Sequence, residues 1–327
     1  MSKNQIIRVA FIYHKSNIFL SGKHFDNTYY HFFISALKRN EKIDVTYFPT
    51  DDVFDTSILK NRFDIILLWV NFKFGMPEKI LGINELDIPV ISRIGDPKDT
   101  KEGLKMHKEW KIDHYFHFFP KSYFHELYSP NLKYKNIVYG LELSLYQNVS
   151  SFENRIKSKI LNSGAIGNFK TLSRLRDKLR NPKFTNLYGY HLRTLCNKLS
   201  YVEYTPTLQH EYINDKYPLL LQKYQSAIAA SSDSPTIKYW EIAAAGCLTF
   251  MEITDFNRGM EILDFVDNES AIFINEKNYV QRFEEYLSDV KNPKWKRIAN
   301  EGRKLSMEKY NNDKGVESLV ELMEEYV

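Results

Sequence analysis

Cysteine is nearly missing from this chain. There are two in 327 residues, Cys196 and Cys247, and neither belongs to a paired motif. A disulfide framework is excluded, and a reducing compartment follows, with Cys247 in an apolar run where a buried thiol belongs. Cys-Xaa-Xaa-Cys and His-Glu-Xaa-Xaa-His are also missing. His14, His24, His31, His107, His114, His117, His125, His191 and His210 are scattered, so no metal site is expected. No apolar run approaches the roughly 20 residues that cross a bilayer, and the N-terminus has no signal-peptide pattern, which makes the cytoplasm the expected location. Charge of one sign is scarce as well: the net charge is +4, with Lys and Arg interspersed among Asp and Glu. That argues against a dedicated nucleic-acid binder. It leaves a mildly basic surface able to hold a diphosphate, or to touch an anionic membrane weakly at the inner face. Finally, the first apolar strand is not followed by Gly-Xaa-Gly-Xaa-Xaa-Gly, which argues against a dinucleotide-dependent dehydrogenase.

What is present in quantity is aromatic. Twenty-two Tyr and 22 Phe raise the aromatic share to 15%, offering ring faces for sugars or bases, although an A/T-rich codon supply is the better account of them. The apolar fraction of 43% and charged fraction of 26% are those of a globular protein, and the length suits two cores better than one. Short apolar runs alternate with helical patterns, as a parallel sheet covered on both faces requires. Strands are expected at Ile6–Tyr13, Ile43–Phe48, Phe63–Val70, Pro89–Ile94 and Tyr115–Phe119, with a helix over Asn27–Arg39. Lys135–Tyr146 reads as a short strand broken by Gly140, and the periodicity then weakens until Ile156, where the interdomain hinge is expected. A second series follows: strand Lys159–Ala165, helix Leu172–Leu179, a strand near Thr185–Tyr190, helix Pro218–Tyr224 and strand Gln225–Ala230. It continues with helix Pro235–Ala245, strand Cys247–Glu252 and helices Tyr279–Asp289 and Pro293–Tyr310. The expected architecture is α/β, with Rossmann-like domains over 1–148 and 149–310 and a C-terminal helix over 311–327 that packs back toward the first.

The most informative stretch is SSDSPTIKYWEIAAAGCLTF, residues 231–250. Ser234 suits an N-cap, Pro235 the first helical position and Gly246 the left-handed residue ending a helix. This helix would open at the carboxyl end of the sheet, where its free amides, from Ser234 to Thr236, attract phosphate. Asp233 and Glu241, eight positions apart, can serve two ends of one ligand, and Lys238 can offset phosphate charge. The bland alternatives are a second cap for Asp233 and a helical pairing of Lys238 with Glu241.

This stretch resembles the GT-B glycosyltransferases, particularly the family 4 and group 1 type and the related CgeB-like spore-maturation branch. Those enzymes carry a helix with two acidic residues, seven residues between them, ending in a small-residue and glycine turn before an apolar strand. Asp233 stands where they usually have the first glutamate, Glu241 matches the second, and Glu-Ile-Ala-Ala-Ala-Gly-Cys is similar to their Glu-Ala-Xaa-Ala-Xaa-Gly-Xaa. The resemblance implies that Glu241 grips the ribose and Asp233 faces the transferred sugar. Lys159–Gly167 with Arg174, Leu175 and Arg176 is similar to the family's first C-domain strand, glycine loop and basic helix. Gly164, Gly167, Arg176 and Arg180 are then candidate phosphate contacts, although such a basic helix is also an ordinary solvated face. Tyr139–Leu141 is similar to the interdomain segment. Arg93–Asp96 resembles the strand end facing the cleft, and the loop Ser21–His24 could approach the acceptor. Asp96 and Asp26 are candidate bases or turn residues. The implied activity is metal-independent transfer of a sugar from a nucleoside diphosphate donor to a hydroxyl acceptor, without a cofactor. A sugar-nucleotide-binding protein without turnover and a sugar-nucleotide epimerase are the alternatives.

Overall fold

The computed structural model describes residues 6–20, 28–167, 190–205, 214–231 and 233–327, together with Leu172, Leu175 and Leu179. Contacts divide it into two units: residues 1–140 with 312–327, and residues 141–311. The first unit ends at Gly140, short of the residue 148 expected from sequence. Leu141 pairs with Asn311 in an isolated bridge, which ties the stretch after Gly140 to the second unit.

Unit 1 is built on a six-stranded, wholly parallel sheet in the order β2-β1-β4-β6-β7-β8. Its strands are β1 (Ile7–His14), β2 (Ile43–Thr50), β4 (Ile65–Leu68), β6 (Val90–Arg93), β7 (His114–His117) and β8 (Tyr134–Asn136). The runs read as buried strands are buried: β4 and β6 have no exposed residue. The sequence reading missed a two-stranded pair, β3 (Val53–Asp55) with β5 (Lys79–Leu81), and two helices, α2 (Thr100–Glu109) and α3 (Lys121–Leu127). The first helix, α1 (28–39), has a π-helical middle at His31–Ala36. A π turn holds more residues than an α turn, and adjacent Phe32 and Phe33 are both fully buried here. Phe32 stacks on Tyr139 with centroids 4.3 Å apart, and Phe33 stacks on Phe11 at 5.2 Å.

The final helix, α10 (Asn312–Glu324), closes unit 1. Asn312 accepts the Gly140 N–H at 2.7 Å, and Gly315 lies where the helix crosses the 138–139 backbone. A Cβ on Gly315 would sit 2.8 Å from the Val138 carbonyl oxygen and 3.0 Å from Phe32 and Tyr139. Helix propensity alone favours alanine over glycine by about 1 kcal/mol, but overpacking of this kind costs about 1–3 kcal/mol. Gly315→Ala is therefore expected to lower the urea midpoint of unit 1; a raised midpoint would show that α10 does not pack as described.

Unit 2 holds a five-stranded parallel sheet in the order β10-β9-β11-β12-β13. Its strands are β9 (Ile156–Ser163), β10 (Val202–Thr205), β11 (Tyr224–Ala229), β12 (Leu248–Glu252) and β13 (Ile272–Ile274). Around it are α4 (Leu143–Tyr146), α5 (His191–Cys196), α6 (Tyr217–Leu221), α7 (Lys238–Ala244), α8 (Tyr279–Ser288) and α9 (Pro293–Lys309). The core joins Ile160, Ile228, Leu248 and Phe250 of the sheet to Leu192 and Cys196 of α5, Phe283 and Tyr286 of α8 and Trp295 of α9. The strand expected near Thr185–Tyr190 falls outside the described residues up to its last member; Tyr190 is a turn leading into α5. Because the chain goes out from β9 to the edge strand β10 and returns to β11, the sheet reverses its order between β9 and β11. Such switch points leave a crevice at the carboxyl ends of the strands, where open α/β sheets bind ligands. Among the described residues no helix is long and apolar enough to cross a membrane.

Candidate functional site

At the carboxyl end of β9 the chain turns through Gly164, whose φ of +114° suits glycine. Its N–H donates to Thr205 of β10 at 3.0 Å and its carbonyl accepts the Tyr204 hydroxyl at 2.9 Å, so the turn is fixed. Two cations close on its open face. A Cβ there would lie 2.7 Å from the Lys238 ammonium and 2.8 Å from the Arg193 guanidinium. Lys238 donates to the Ser163 carbonyl at 3.1 Å and stands over the Tyr217 ring, 5.2 Å from its centroid. Tyr217 in turn is fixed by a 2.7 Å hydrogen bond with Ser163.

Arg193, on α5, is only 3% exposed. It donates to the Ala165 carbonyl at 3.0 Å and to the Ala230 carbonyl, so it spans the crevice between the ends of β9 and β11. Its Nε is buried without a hydrogen-bond partner. Those partners are neutral carbonyls, and a buried guanidinium held only by dipoles keeps most of its attraction for an anion. Gly167, expected at the phosphate, is instead buried with its N–H given to the Thr194 hydroxyl at 2.8 Å, which anchors the loop to α5. Arg193 itself escaped the sequence reading. The positions singled out there, Arg176 and Arg180, lie outside the described residues.

The helix after β11 corrects one expectation. It begins at Lys238, not Pro235, and its N-cap position is Ile237, with no side-chain cap. Ser234 does not cap it. The Ser231 hydroxyl donates to the Ser234 carbonyl at 2.5 Å, and Pro235 packs beside Gly259. The first helical hydrogen bonds run from Tyr239 to the Thr236 carbonyl and from Trp240 and Glu241 to that of Ile237. Glu241 thus sits in the first turn of α7, half-buried, and accepts the Tyr146 hydroxyl of α4 at 3.2 Å. Asp233 is half-buried, with its carbonyl 3.5 Å from the Arg258 guanidinium. The Ser231 N–H donates to the Glu252 carboxyl at the end of β12 at 2.9 Å. Burial pushes that carboxyl up to about 8; the Ser231 hydrogen bond and Arg193 pull the other way without cancelling it. In unit 2, then, Gly164 and Lys238 come together with Arg193, while Glu241 stands farther along α7 beside Tyr146.

Asp96 belongs to unit 1, exposed at the entrance to a short 3₁₀ turn, Pro97–Asp99, which it does not cap. Asp26 and the Ser21–His24 loop lie outside the described residues. Among the described residues no group of three His, Cys, Asp or Glu side chains is placed to hold a metal ion.

No family model matches the chain, and neither does any curated protein. Solved structures do. The sucrose-phosphate synthase of Thermosynechococcus elongatus is similar with a TM-score of 0.55 at 11% identity, over 98% of each chain. A glycosyltransferase from Rickettsia africae gives 0.55 at 13% identity, over 99% of each chain. HepE of Anabaena, solved in complex with UDP, gives 0.52 at 10% identity over 98% of this chain and all of that one. At such low identity these likenesses speak for architecture, and they show that the chain has the GT-B fold of the glycosyltransferases it aligns with from end to end.

Proposed function

We propose that this chain is a glycosyltransferase that moves a sugar from a nucleoside diphosphate donor to a hydroxyl acceptor, with unit 2 holding the donor. The observation that carries the proposal is the pair of cations, Arg193 and Lys238, on the bare face of Gly164 at the switch point of the sheet. A diphosphate there would meet two positive groups already oriented by carbonyls and a ring. In transfer, the same groups would stabilise the charge that develops on the leaving diphosphate, which is the task a divalent ion performs elsewhere. The absent side chain at position 164 makes room for both cations beside the backbone. Glu241, oriented by Tyr146, is assigned to the ribose hydroxyls, and Asp233 to the transferred sugar. Asp96 is the carboxylate proposed for the acceptor side. Kinship with the family 4 and CgeB-like enzymes fits the order of these residues in the sequence. Weak peripheral contact with a membrane is part of the same proposal, supported by helical Leu172, Leu175 and Leu179 at 83, 55 and 76% exposure within a lysine- and arginine-rich stretch.

UDP is the first nucleotide to test, because HepE was solved with it. A thermal-shift series with UDP, GDP, ADP, CMP and their sugars should raise the melting temperature with at least one nucleotide, since a ligand specific for the folded state stabilises it. For that nucleotide Glu241→Ala should weaken binding about tenfold, the worth of one charge-assisted hydrogen bond pair. A panel in which nothing shifts the melting temperature removes the proposal. Binding without nucleotide release from any donor would favour a sugar-nucleotide-binding protein, and product formed without acceptor an epimerase.

A further inference from the structure

Unit 1 carries a buried cation of its own that the transfer reading does not use. Arg93 is the last residue of β6, at the carboxyl end of the parallel sheet, and only 6% exposed. Its guanidinium lies 4.4 Å from the Trp69 ring centroid and 4.7 Å from that of Tyr29, so aromatic faces fix its plane. Nε donates to the Trp69 carbonyl at 3.2 Å, and Nη1 donates to Nε2 of His117 at 3.2 Å. Arginine keeps its proton in proteins, so His117 accepts at Nε2 and carries its hydrogen on Nδ1. Burial and the adjacent guanidinium lower the affinity of that imidazole for a second proton, so His117 is neutral and supplies no counter-charge.

Donors therefore outnumber acceptors. A guanidinium has five N–H groups, and the partners it finds among the described residues are a carbonyl, a neutral imidazole and the Tyr139 hydroxyl, none of them charged. Nδ1 of His117 is buried without an acceptor among the described residues, and the buried Tyr139 hydroxyl stands beside the Arg93 guanidinium, itself a donor, so its own hydrogen also finds no acceptor there; the two residues are 2% and 0% exposed. Tyr139 feels the Arg93 charge, and its ring lies 5.9 Å from that of His117. A desolvated cation among unmatched donors calls for an anion with several lone pairs, and a planar guanidinium edge fits the paired oxygens of a carboxylate or phosphate.

We propose that the carboxyl ends of β4, β6 and β7 form a binding site for an oxyanion, a carboxylate or phosphate on a small molecule, with Arg93 as its binding residue and Tyr139 and His117 as further donors. In the transferase reading this anion would belong to the acceptor. The site rests on unit 1 alone and stands whether or not a nucleotide sugar is the donor.

The test is calorimetric titration of the full chain with glucuronate, glucose 6-phosphate and inorganic phosphate, with glucose as the neutral control. Wild type and Arg62→Ala are expected to bind at least one anion with affinities within twofold of each other, because Arg62 is an exposed cation of unit 1 away from the site. Arg93→Gln should weaken that binding about 10- to 100-fold, and Arg93→Lys, which keeps the charge and loses the fork, by about 5- to 10-fold. UDP affinity should not change in either. Whichever of glucuronate and glucose 6-phosphate binds more tightly identifies the anion. If Arg93→Gln fails to fold, Arg93→Lys decides alone. Undiminished anion binding in Arg93→Lys and Arg93→Gln, an equal loss in Arg62→Ala, or no anion binding to wild type would each overturn the assignment.

Discussion

Lys238→Ala is expected to lower affinity for a nucleoside diphosphate about 10- to 100-fold and to depress sugar transfer at least as much. A charge-assisted hydrogen bond contributes about 1.5–3 kcal/mol, and each 1.4 kcal/mol is a factor of ten. The ammonium already points into the Gly164 turn, held by the Ser163 carbonyl and the Tyr217 ring, so little ordering remains to be done when phosphate arrives. Folding should be affected far less. Lys238 is only half-buried, and its ammonium gives up a hydrogen bond to the Ser163 carbonyl. The measurement is nucleotide affinity by titration beside the melting temperature of the same preparation. Lys238→Arg should recover part of the binding, since charge is restored with a different reach. Alanine that binds UDP and every other nucleotide as wild type does would mean that the phosphate lies elsewhere, and the two-cation reading of unit 2 would fail with it.

The same site shows what a sequence can and cannot carry. Strands β1, β4, β11 and β12 were legible because each is a continuous apolar run, as burial on both faces demands. The short strands β3, β5, β10 and β13 carry three or four residues each, too few for a period to emerge. Ser234-Pro235 reads locally as a helix opening, yet the helix waits until Lys238, because the Ser231 hydroxyl claims the Ser234 carbonyl. That contact spans only three residues, but local propensity does not encode it. Arg193 was hidden for a different reason. In His-Leu-Arg-Thr-Leu-Cys nothing distinguishes a solvated arginine from a buried one, and its meaning comes from two carbonyls, 28 and 37 positions away, at the ends of neighbouring strands. Arg93 was noticed at a strand end, but its ring sandwich required Tyr29 and Trp69 to be brought to it by the sheet. Element type is written in local pattern, whereas the charge balance of a site is written in the topology.

Glu252 gives the other large effect, and it concerns pH. The carboxyl closes β12 at 6% exposure, holds the Ser231 N–H, and is pushed up to about 8 chiefly by burial, with Glu276 adding to the shift. Its folded-state value is raised, so the sign is the reverse of that for a salt-bridged carboxylate. Below the ordinary glutamate range both folded and unfolded states hold the proton, and the contribution to stability is fully present. As pH rises from about 4.5 toward about 8 the unfolded chain releases the proton while the folded chain retains it. Stability should then fall by about 1.4 kcal/mol per pH unit, on the order of 5 kcal/mol over the whole window, and level off above it. Glu252→Gln keeps an oxygen for the Ser231 N–H and removes the titration. It should match wild type near pH 5 and exceed it increasingly up to pH 8, as read by urea unfolding at each pH. Ionisation also places a negative charge near Arg193, which then has less attraction to offer a phosphate. Nucleotide affinity of the wild type should accordingly decline as pH passes through 8, and that of Glu252→Gln should not. If stability curves of the two proteins run parallel from pH 5 to pH 8, the carboxyl is ionised throughout and its burial must be matched by a cation not identified above.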